Sequence, residues 1–253
     1  MLEGLFQQID KTPQEMKLPP FLKNFKNPCW IERNINDTNT RIRCLPYFYL
    51  VGMPKCGTSD FYKRITQHPS ISNKSRKETH WFSRRGFSRN GKYKSLTNYL
   101  QLYDHIVTED VLKSKQTNGR HSGIFGDFSG TYWDSNKLLM NWNDKNGKEA
   151  IPPFTISDVI HKLNPATKIL FLLRNPVKRI YSDYLYFGKG KKDANDFHAK
   201  IKAAIQRHWG NINTKMYALV GQMLPETKTL LSDFYRKHNE NLSKLLGENM
   251  TYD

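Results

Sequence analysis

An apolar run that passes directly into a turn of lysine, glycine and hydroxyl residues is the strongest constraint on how this chain can fold. Residues 47–52 have the composition of a buried β-strand, and the sequence Met-Pro-Lys-Cys-Gly-Thr-Ser follows at 53–59. A strand, a loop and a helix in this order bring backbone N–H groups and the positive end of a helix dipole together. The pattern therefore predicts a site for a phosphate-like anion, held by the amides of residues 55–59 and the Lys55 ammonium.

The glycine spacing in this segment also matches another kind of loop. Gly52 and Gly57 are spaced as in the phosphate loops of kinases and GTPases. Those loops carry their lysine directly after the second glycine, whereas here Thr58 stands in that position and the lysine comes earlier. The displacement disfavours a nucleotide-dependent phosphotransferase, and a buried strand that ends in an ordinary turn remains the structural alternative.

A second apolar run, at residues 168–173, repeats the same arrangement. Pro176 is expected at the first position of a helix. The apolar stripe of that helix is expected to face a sheet and consists of Val177, Ile180, Tyr181, Tyr184 and Leu185. Arg174 would then follow the carboxyl end of a strand, where open α/β sheets bind ligands, with Ser182 two turns into the helix. A guanidinium and a hydroxyl suit a phosphate monoester, although each is commonly an ordinary surface group.

The remaining segments predict one α/β domain. Residues 123–129 are typical of a short strand that ends near Asp127 and Ser129, and residues 155–163 are typical of a helix. With the strand at 168–173 they give the βαβ alternation of a parallel sheet. We expect an irregular lead-in at residues 1–26, a domain at 27–253, and a closing helix that stops at Gly247.

Three segments together resemble a known family. They are Cys-Leu-Pro-Tyr-Phe-Tyr-Leu-Val-Gly-Met-Pro-Lys-Cys-Gly-Thr-Ser-Asp (44–60), Lys-Glu-Thr-His-Trp-Phe (77–82) and Leu-Arg-Asn-Pro-Val-Lys-Arg-Ile-Tyr-Ser-Asp-Tyr-Leu-Tyr-Phe (173–187). They resemble the Golgi carbohydrate sulfotransferases, which use 3′-phosphoadenosine 5′-phosphosulfate (PAPS), in the 5′-phosphosulfate loop and the 3′-phosphate motif. The resemblance covers residues 27–210 and resumes at 223–247. It implies a P-loop-type three-layer α/β fold with a central parallel sheet flanked by helices.

The resemblance also implies a reaction. A sulfuryl group would pass from PAPS to a hydroxyl of a glycosaminoglycan sugar, and the resemblance is strongest to enzymes that modify the 6-O of N-acetylgalactosamine 4-sulfate in chondroitin sulfate. No metal is required by this chemistry. The residues implied to bind PAPS are Lys55, Cys56, Gly57, Thr58, Ser59, Arg174 and Ser182.

Catalytic and acceptor-binding roles follow from the same resemblance. Glu78 would take the proton of the acceptor hydroxyl, with His80 as the second candidate, and Lys55 would neutralise charge on the bridging oxygen. The residues implied to contact the acceptor are Lys77, Arg84 and Ser129. The alternatives are a solvated Lys77–Glu78 ion pair and a histidine that merely packs beside Trp81 and Phe82.

The charge of the chain agrees with a polyanionic partner. Lys and Arg number 40 against 23 Asp and Glu, which gives a formal net charge of +17. The positive electrostatic field of such a chain would attract a sulfated glycosaminoglycan of the chondroitin or dermatan type, and the attraction would weaken as the salt concentration rises. Nucleic acid could be held by charge alone, but it needs neither the anion loop nor a base behind it, so we do not expect it as a partner.

Cysteines and glycosylation sequons indicate a lumenal compartment. Cys29 and Cys44 match cysteine positions of the resembling family and are expected to form a disulfide. The sequons are at Asn36, Asn73, Asn241 and Asn249. The resemblance implies the Golgi lumen, yet no run of residues approaches the roughly 18 apolar residues of a membrane anchor. The sequence is therefore expected to be an incomplete or alternative product, or to reach the lumen by another route.

The resemblance is interrupted near residues 211–222. At this point the family continues through a loop, a long helix and another core strand, whereas here the chain passes almost directly to the closing helix. We therefore expect an internal deletion and a fold that lacks part of its C-terminal half. A glycosaminoglycan-binding relative with impaired catalysis is the alternative function that this interruption leaves open.

Overall fold

A computed structural model of the chain describes residues 18–33, 40–86, 96–133, 155–189, 191–209 and 225–247. The chain divides into two compact units, Met1–Leu172 and Leu173–Asp253. Several predictions lie outside the described residues: the lead-in before residue 18, the sequons at Asn36 and Asn249, and the deletion near 211–222. No helix within the described ranges is long and apolar enough to cross a membrane.

The first unit contains strands and short helices in alternation. Its strands are β1 (Cys29–Arg33), β2 (Thr40–Cys44), β3 (Phe48–Gly52), β4 (Gln116–Thr117), β5 (Arg120–His121), β6 (Gly126–Asp127) and β7 (Lys168–Phe171). Its α-helices are α1 (Thr58–Ile65), α2 (Leu96–Gln101), α3 (Asp104–Ile106) and α4 (Ile156–Leu163), and two π-helical turns lie at Trp81–Arg85 and Val107–Val111. The predicted strand–loop–helix at 47–59 corresponds to β3, the loop at 53–57, and α1.

A parallel sheet lies at the centre of this unit, as predicted. Its order within the described residues is β6-β3-β7, with β3 in the middle and parallel to both neighbours. All five residues of β3 are buried, which accounts for its continuous apolar sequence. Because the three strands run in the same direction, the loops that follow them leave from one edge of the sheet.

Two local features hold this sheet and its helices in register. A Cβ on Gly126 would overlap the Phe48 ring, so only glycine lets β6 approach that ring on β3. Helix α4 begins with a capping box, in which the Thr155 hydroxyl accepts from the Asp158 amide and the Asp158 carboxylate accepts from the Thr155 amide. The helix predicted at 155–163 is thus confirmed with Thr155 as its cap.

The predicted disulfide joins the hairpin that precedes the sheet. Strands β1 and β2 pair antiparallel with Cys29 opposite Cys44, and the two sulfurs are bonded. Both cysteines are buried in the main apolar cluster of the unit, beside Trp30 and Leu45. The bond therefore ties the N-terminal hairpin to the core.

The second unit is helical in its described part. It contains α5 (Pro176–Phe187), α6 (Ala194–Trp209) and α7 (Pro225–Leu246), and Gly247 ends α7 with a φ of 68°. Pro176 begins α5 as predicted, and the Asn175 side chain accepts from the Lys178 amide. The stripe of α5, predicted to face a sheet, packs within this unit against apolar residues of α6 and α7, while Leu185 is exposed.

Removing the disulfide is expected to destabilise the protein. The bond closes a loop with a sequence separation of 15 residues, which restricts the unfolded chain. The C29A/C44A variant should lose about 3 kcal/mol of unfolding free energy in a urea titration followed by tryptophan fluorescence.

The matched control is Cys56→Ala, because Cys56 lies outside the disulfide. An unchanged urea midpoint for the double variant would show that the bond does not restrict the unfolded state.

Candidate active site

The loop between β3 and α1 has the backbone shape of an anion site. Lys55 and Gly57 have positive φ values of 65° and 84°, and Gly57 is the residue that caps α1. Glycine offers no side chain to accept from the first helical amides, so those of Thr58, Ser59 and Asp60 remain suited to an external acceptor. The Cys56 amide is different, because it donates to the Met53 carbonyl and closes the loop as a turn.

The segment Lys77–Trp81 lies at the same edge of the sheet, beside the chain that follows β6. Lys77 forms a parallel bridge with Phe128, and the Glu78 amide donates to the Phe128 carbonyl. Glu78 and His80 both have positive φ, 59° and 49°, an arrangement that costs energy and persists only where surrounding contacts impose it. The side chains of these two residues are consequently brought side by side.

Glu78 lies between two basic groups. The Lys77 ammonium donates to Oε1 of Glu78 at 2.8 Å, and Nε2 of His80 is 3.3 Å from Oε2. Glu78 is 32% exposed in its side chain, so its carboxylate is accessible while it is held. The ion pair with Lys77, considered as an alternative, therefore exists, but it forms part of a larger polar group at this edge.

A chain of hydroxyls orients the His80 ring. Nδ1 of His80 is 2.9 Å from the Thr131 hydroxyl, which is 2.6 Å from the Ser83 hydroxyl. A carboxylate only accepts, so Glu78 favours the tautomer with the proton on Nε2. Nδ1 then accepts from Thr131, and Thr131 accepts from Ser83.

Burial lowers the pKa of His80 below its ordinary value of 6.5. The nearby Glu78 carboxylate opposes this shift, whereas Arg84, Arg85 and Lys77 reinforce it. The imidazole is therefore neutral at pH 7 and becomes charged only in more acidic solution.

The Glu78 carboxylate and the end of the anion loop both lie near Gly130. A Cβ built on Gly130 would lie 3.6 Å from Oε1 of Glu78 and 3.8 Å from Cγ2 of Thr58, the first residue of α1. Glu78 and the amino-terminal turn of α1 therefore border the same small space above Gly130. A carboxylate and the positive end of a helix therefore both lie close to Gly130.

A buried carboxylate supports the site from behind. Asp127 has no exposed surface, and it accepts hydrogen bonds from hydroxyls of Ser129, Tyr99 and Tyr132 at 2.6, 2.9 and 2.9 Å. Burial raises the pKa of Asp127, and these hydrogen bonds oppose the shift. In the ranges that the structure describes, no group of three or more His, Cys, Asp and Glu side chains could hold a metal ion.

Comparisons with known proteins identify the family of this chain. A family model described as "Sulfotransferase family" matches residues 46–231. The chain belongs to the sulfotransferase family. It is 38% identical over 186 residues to carbohydrate sulfotransferase 15 of Rattus norvegicus, an alignment that covers 68% of this chain and 33% of the relative.

A human relative and a solved structure also match this chain. Human carbohydrate sulfotransferase 15 is 34% identical over 237 residues, which covers 74% of this chain and 42% of the relative. The chain thus spans less than half the length of these curated relatives. A crystal structure of a sulfotransferase from Alicyclobacillus acidocaldarius matches with a TM-score of 0.50 at 19% identity, covering 82% of this chain and 98% of that one, and shows a shared fold.

The predicted site residues of this chain fall into three groups. Those of the anion loop and those near Glu78 border one edge of the sheet in the first unit. Ser129, predicted to contact the acceptor, is instead fully buried, and its hydroxyl is engaged by Asp127 and the His80 amide. Arg174 and Ser182 belong to the second unit, where Arg174 is exposed and Ser182 is partly buried on α5.

Sequence reasoning missed the residues that support Glu78 and His80. They are Thr79, Ser83, Tyr99, Gly130, Thr131 and Tyr132. The available signal was the run of hydroxyl residues after Asp127, since strand ends at this edge of a parallel sheet commonly line a site.

His80 should make the stability of the protein fall in mildly acidic solution. Its pKa is lower in the folded state, so the unfolded chain binds more protons as the pH drops below 6.5, and the unfolding free energy decreases there. His80→Gln should therefore lose less unfolding free energy between pH 7 and pH 5 than the parent, as measured by urea titration at each pH.

His161→Gln is the control, because His161 is exposed on α4. An equal loss of unfolding free energy in the His80→Gln variant and the parent would contradict a neutral, partly buried imidazole.

Proposed function

We propose that this chain transfers a sulfuryl group from PAPS to a hydroxyl of a glycosaminoglycan sugar. The observation that carries the proposal is the Glu78 carboxylate, which borders the same space as the first turn of α1. A base is useful to an acceptor hydroxyl only if the electrophile is bound within reach. A sulfuryl group carried on a 5′-phosphate at the α1 terminus would meet that condition.

The loop would bind the phosphosulfate end of the donor. Amides of Gly57, Thr58 and Ser59 would donate to 5′-phosphate oxygens, and the helix dipole would favour their negative charge. The Lys55 ammonium would stabilise charge that develops on the bridging oxygen as the bond to sulfur breaks. Cys56 would contribute loop shape, because its amide is already used within the turn.

The reaction requires one proton acceptor. The acceptor oxygen attacks sulfur, a new S–O bond forms, and the bond between sulfur and the bridging phosphate oxygen breaks. The hydroxyl proton passes to Glu78, and adenosine 3′,5′-bisphosphate leaves with the bonding electrons. His80 would hold the Glu78 carboxylate in place from the side, since Nε2 faces Oε2; this makes Glu78 the base and His80 its partner.

Arg174 and Ser182 are proposed to bind the 3′-phosphate of the donor. Support comes from the resemblance of their segment, residues 173–187, to the 3′-phosphate motif of the family.

The acceptor is proposed to be a sulfated glycosaminoglycan of the chondroitin or dermatan type, modified at the 6-O of N-acetylgalactosamine 4-sulfate. Arg84 and Arg85 are exposed shortly after His80, and the chain carries a net charge of +17. Guanidinium groups in this position suit acceptor sulfates. Lys77 would contact the acceptor only by sharing its ammonium with Glu78.

The Golgi lumen is the proposed compartment. The Cys29–Cys44 disulfide suits an oxidising environment. Asn73 and Asn241, the two sequon residues within the described ranges, are exposed and thus accessible to a glycan.

Transfer of labelled sulfate tests this function. The protein should move radiolabel from PAPS to 4-sulfated chondroitin, and to desulfated chondroitin less readily. Glu78→Gln should lower kcat by about 10²-fold or more, since it removes a general base. Lys55→Ala should cost a similar factor through lost charge stabilisation.

Two exposed residues provide matched controls, Lys63→Ala on α1 and Glu240→Gln on α7, and both should retain the parent rate. Chondroitin that binds to the protein without accepting label would instead support the impaired, glycan-binding relative. Full turnover by Glu78→Gln would remove Glu78 as the base.

A further inference from the structure

The hydroxyl groups around Asp127 form two successive layers of hydrogen bonds. In the first layer, Asp127 accepts from Ser129 and Tyr132, and also from Tyr99. In the second, the Ser129 hydroxyl accepts from the His80 amide at 3.1 Å and the Tyr132 hydroxyl accepts from the Trp81 amide at 3.0 Å. Ser129 and Tyr132 thus each donate a hydrogen bond to the carboxylate and accept one from the backbone of residues 78–81, the Glu78 segment.

Thr79 connects the same segment directly to the carboxylate. Its hydroxyl lies 3.2 and 3.3 Å from the two Asp127 oxygens, and 2.8 Å from the Ser129 hydroxyl. Thr79 is 2% exposed, so it points inward between Glu78 and His80. The residues on either side both have positive φ, and anchoring the residue between them keeps that conformation in place.

We propose that Asp127 is a positioning residue for the catalytic base: through Ser129, Tyr132 and Thr79 it fixes the backbone of residues 78–81 and thereby aims Glu78 and His80 at the sulfuryl acceptor. The role rests on the proposed function, because it has meaning for catalysis only if Glu78 is the base. Asp127 itself does not touch the substrate, since it has no exposed surface. A carboxylate suits this position because it offers acceptor sites to several hydroxyls at once.

Two tyrosines of this network, Tyr99 and Tyr132, provide a matched pair of variants. Tyr99 and Tyr132 are both buried, and each donates to Oδ2 of Asp127 at 2.9 Å. Only Tyr132 also accepts from the backbone of the Glu78 segment. Phenylalanine at either position therefore removes the same hydrogen bond from the carboxylate, but only Tyr132→Phe releases the Trp81 amide.

Sulfate transfer by the two variants separates positioning from general stability. Tyr132→Phe should lower kcat about tenfold more than Tyr99→Phe does, at similar losses of thermal stability and with an unchanged Kd for adenosine 3′,5′-bisphosphate. Asp127→Asn should lower kcat at least as far as Tyr132→Phe. Equal kcat values for the two tyrosine variants would overturn the proposal.

A second readout does not depend on sulfate transfer. The His80 ring, titrated by NMR, should have a pKa below 6.5 in the parent and in Tyr99→Phe, and a changed pKa in Tyr132→Phe as the ring leaves its place beside Glu78. An unchanged His80 titration in Tyr132→Phe would overturn the positioning role. If the parent transfers no sulfate, the proposed function fails, and this titration still decides whether Asp127 orients the segment.

Discussion

Parallel pairing of β3 with β6 and β7 determines where every proposed reacting group of the first unit can lie. Phe48 pairs with Gly126 and Tyr49 with Asp127, so the anion loop and the Asp127–Gly130 segment leave the sheet at neighbouring points. Lys77 then bridges to Phe128, which brings Glu78 to the same edge. A one-residue slip of β6 would turn Asp127 to the opposite face of the sheet and break the contacts behind Glu78. Gly126 helps to prevent this slip, because Phe48 occupies the space of a side chain there.

The site has an accessible side and a buried side, and the two differ in the groups that surround their carboxylates. On the accessible side, the Glu78 carboxylate lies beside Lys77 and His80 and near the positive terminus of α1. On the buried side, hydroxyls of Ser129, Tyr99 and Tyr132 donate hydrogen bonds to Asp127. A buried carboxyl group without hydrogen-bond partners is costly, so the surrounding hydroxyls explain how Asp127 can be kept inside the fold. Hydrogen bonds from Thr79, His80 and Trp81 to the Asp127 network connect this buried group to the segment that carries the accessible Glu78 carboxylate.

Local patterns in the sequence were sufficient to predict the elements but not the support of the site. Residues 47–59 predicted strand, loop and helix, and Pro176 and Thr155 predicted helix starts, because caps and apolar runs act over a few neighbouring residues. The hydrogen bond between Tyr99 and Asp127 joins residues 28 positions apart, and no spacing rule relates them. The same limit applies to Ser129: the family resemblance implied that it contacts the acceptor, but its hydroxyl is turned inward and donates to Asp127. The Cys29–Cys44 pair was predicted only through the family resemblance, and the structure contains it.

A crystal structure with adenosine 3′,5′-bisphosphate tests the central claim most directly, since that claim is a spatial one. The account predicts the 5′-phosphate on the amides of Gly57, Thr58 and Ser59, with the Glu78 carboxylate facing the open side of the phosphate across the space above Gly130. A nucleotide bound away from the first turn of α1, or a Glu78 side chain directed away from its 5′-phosphate, would contradict the account.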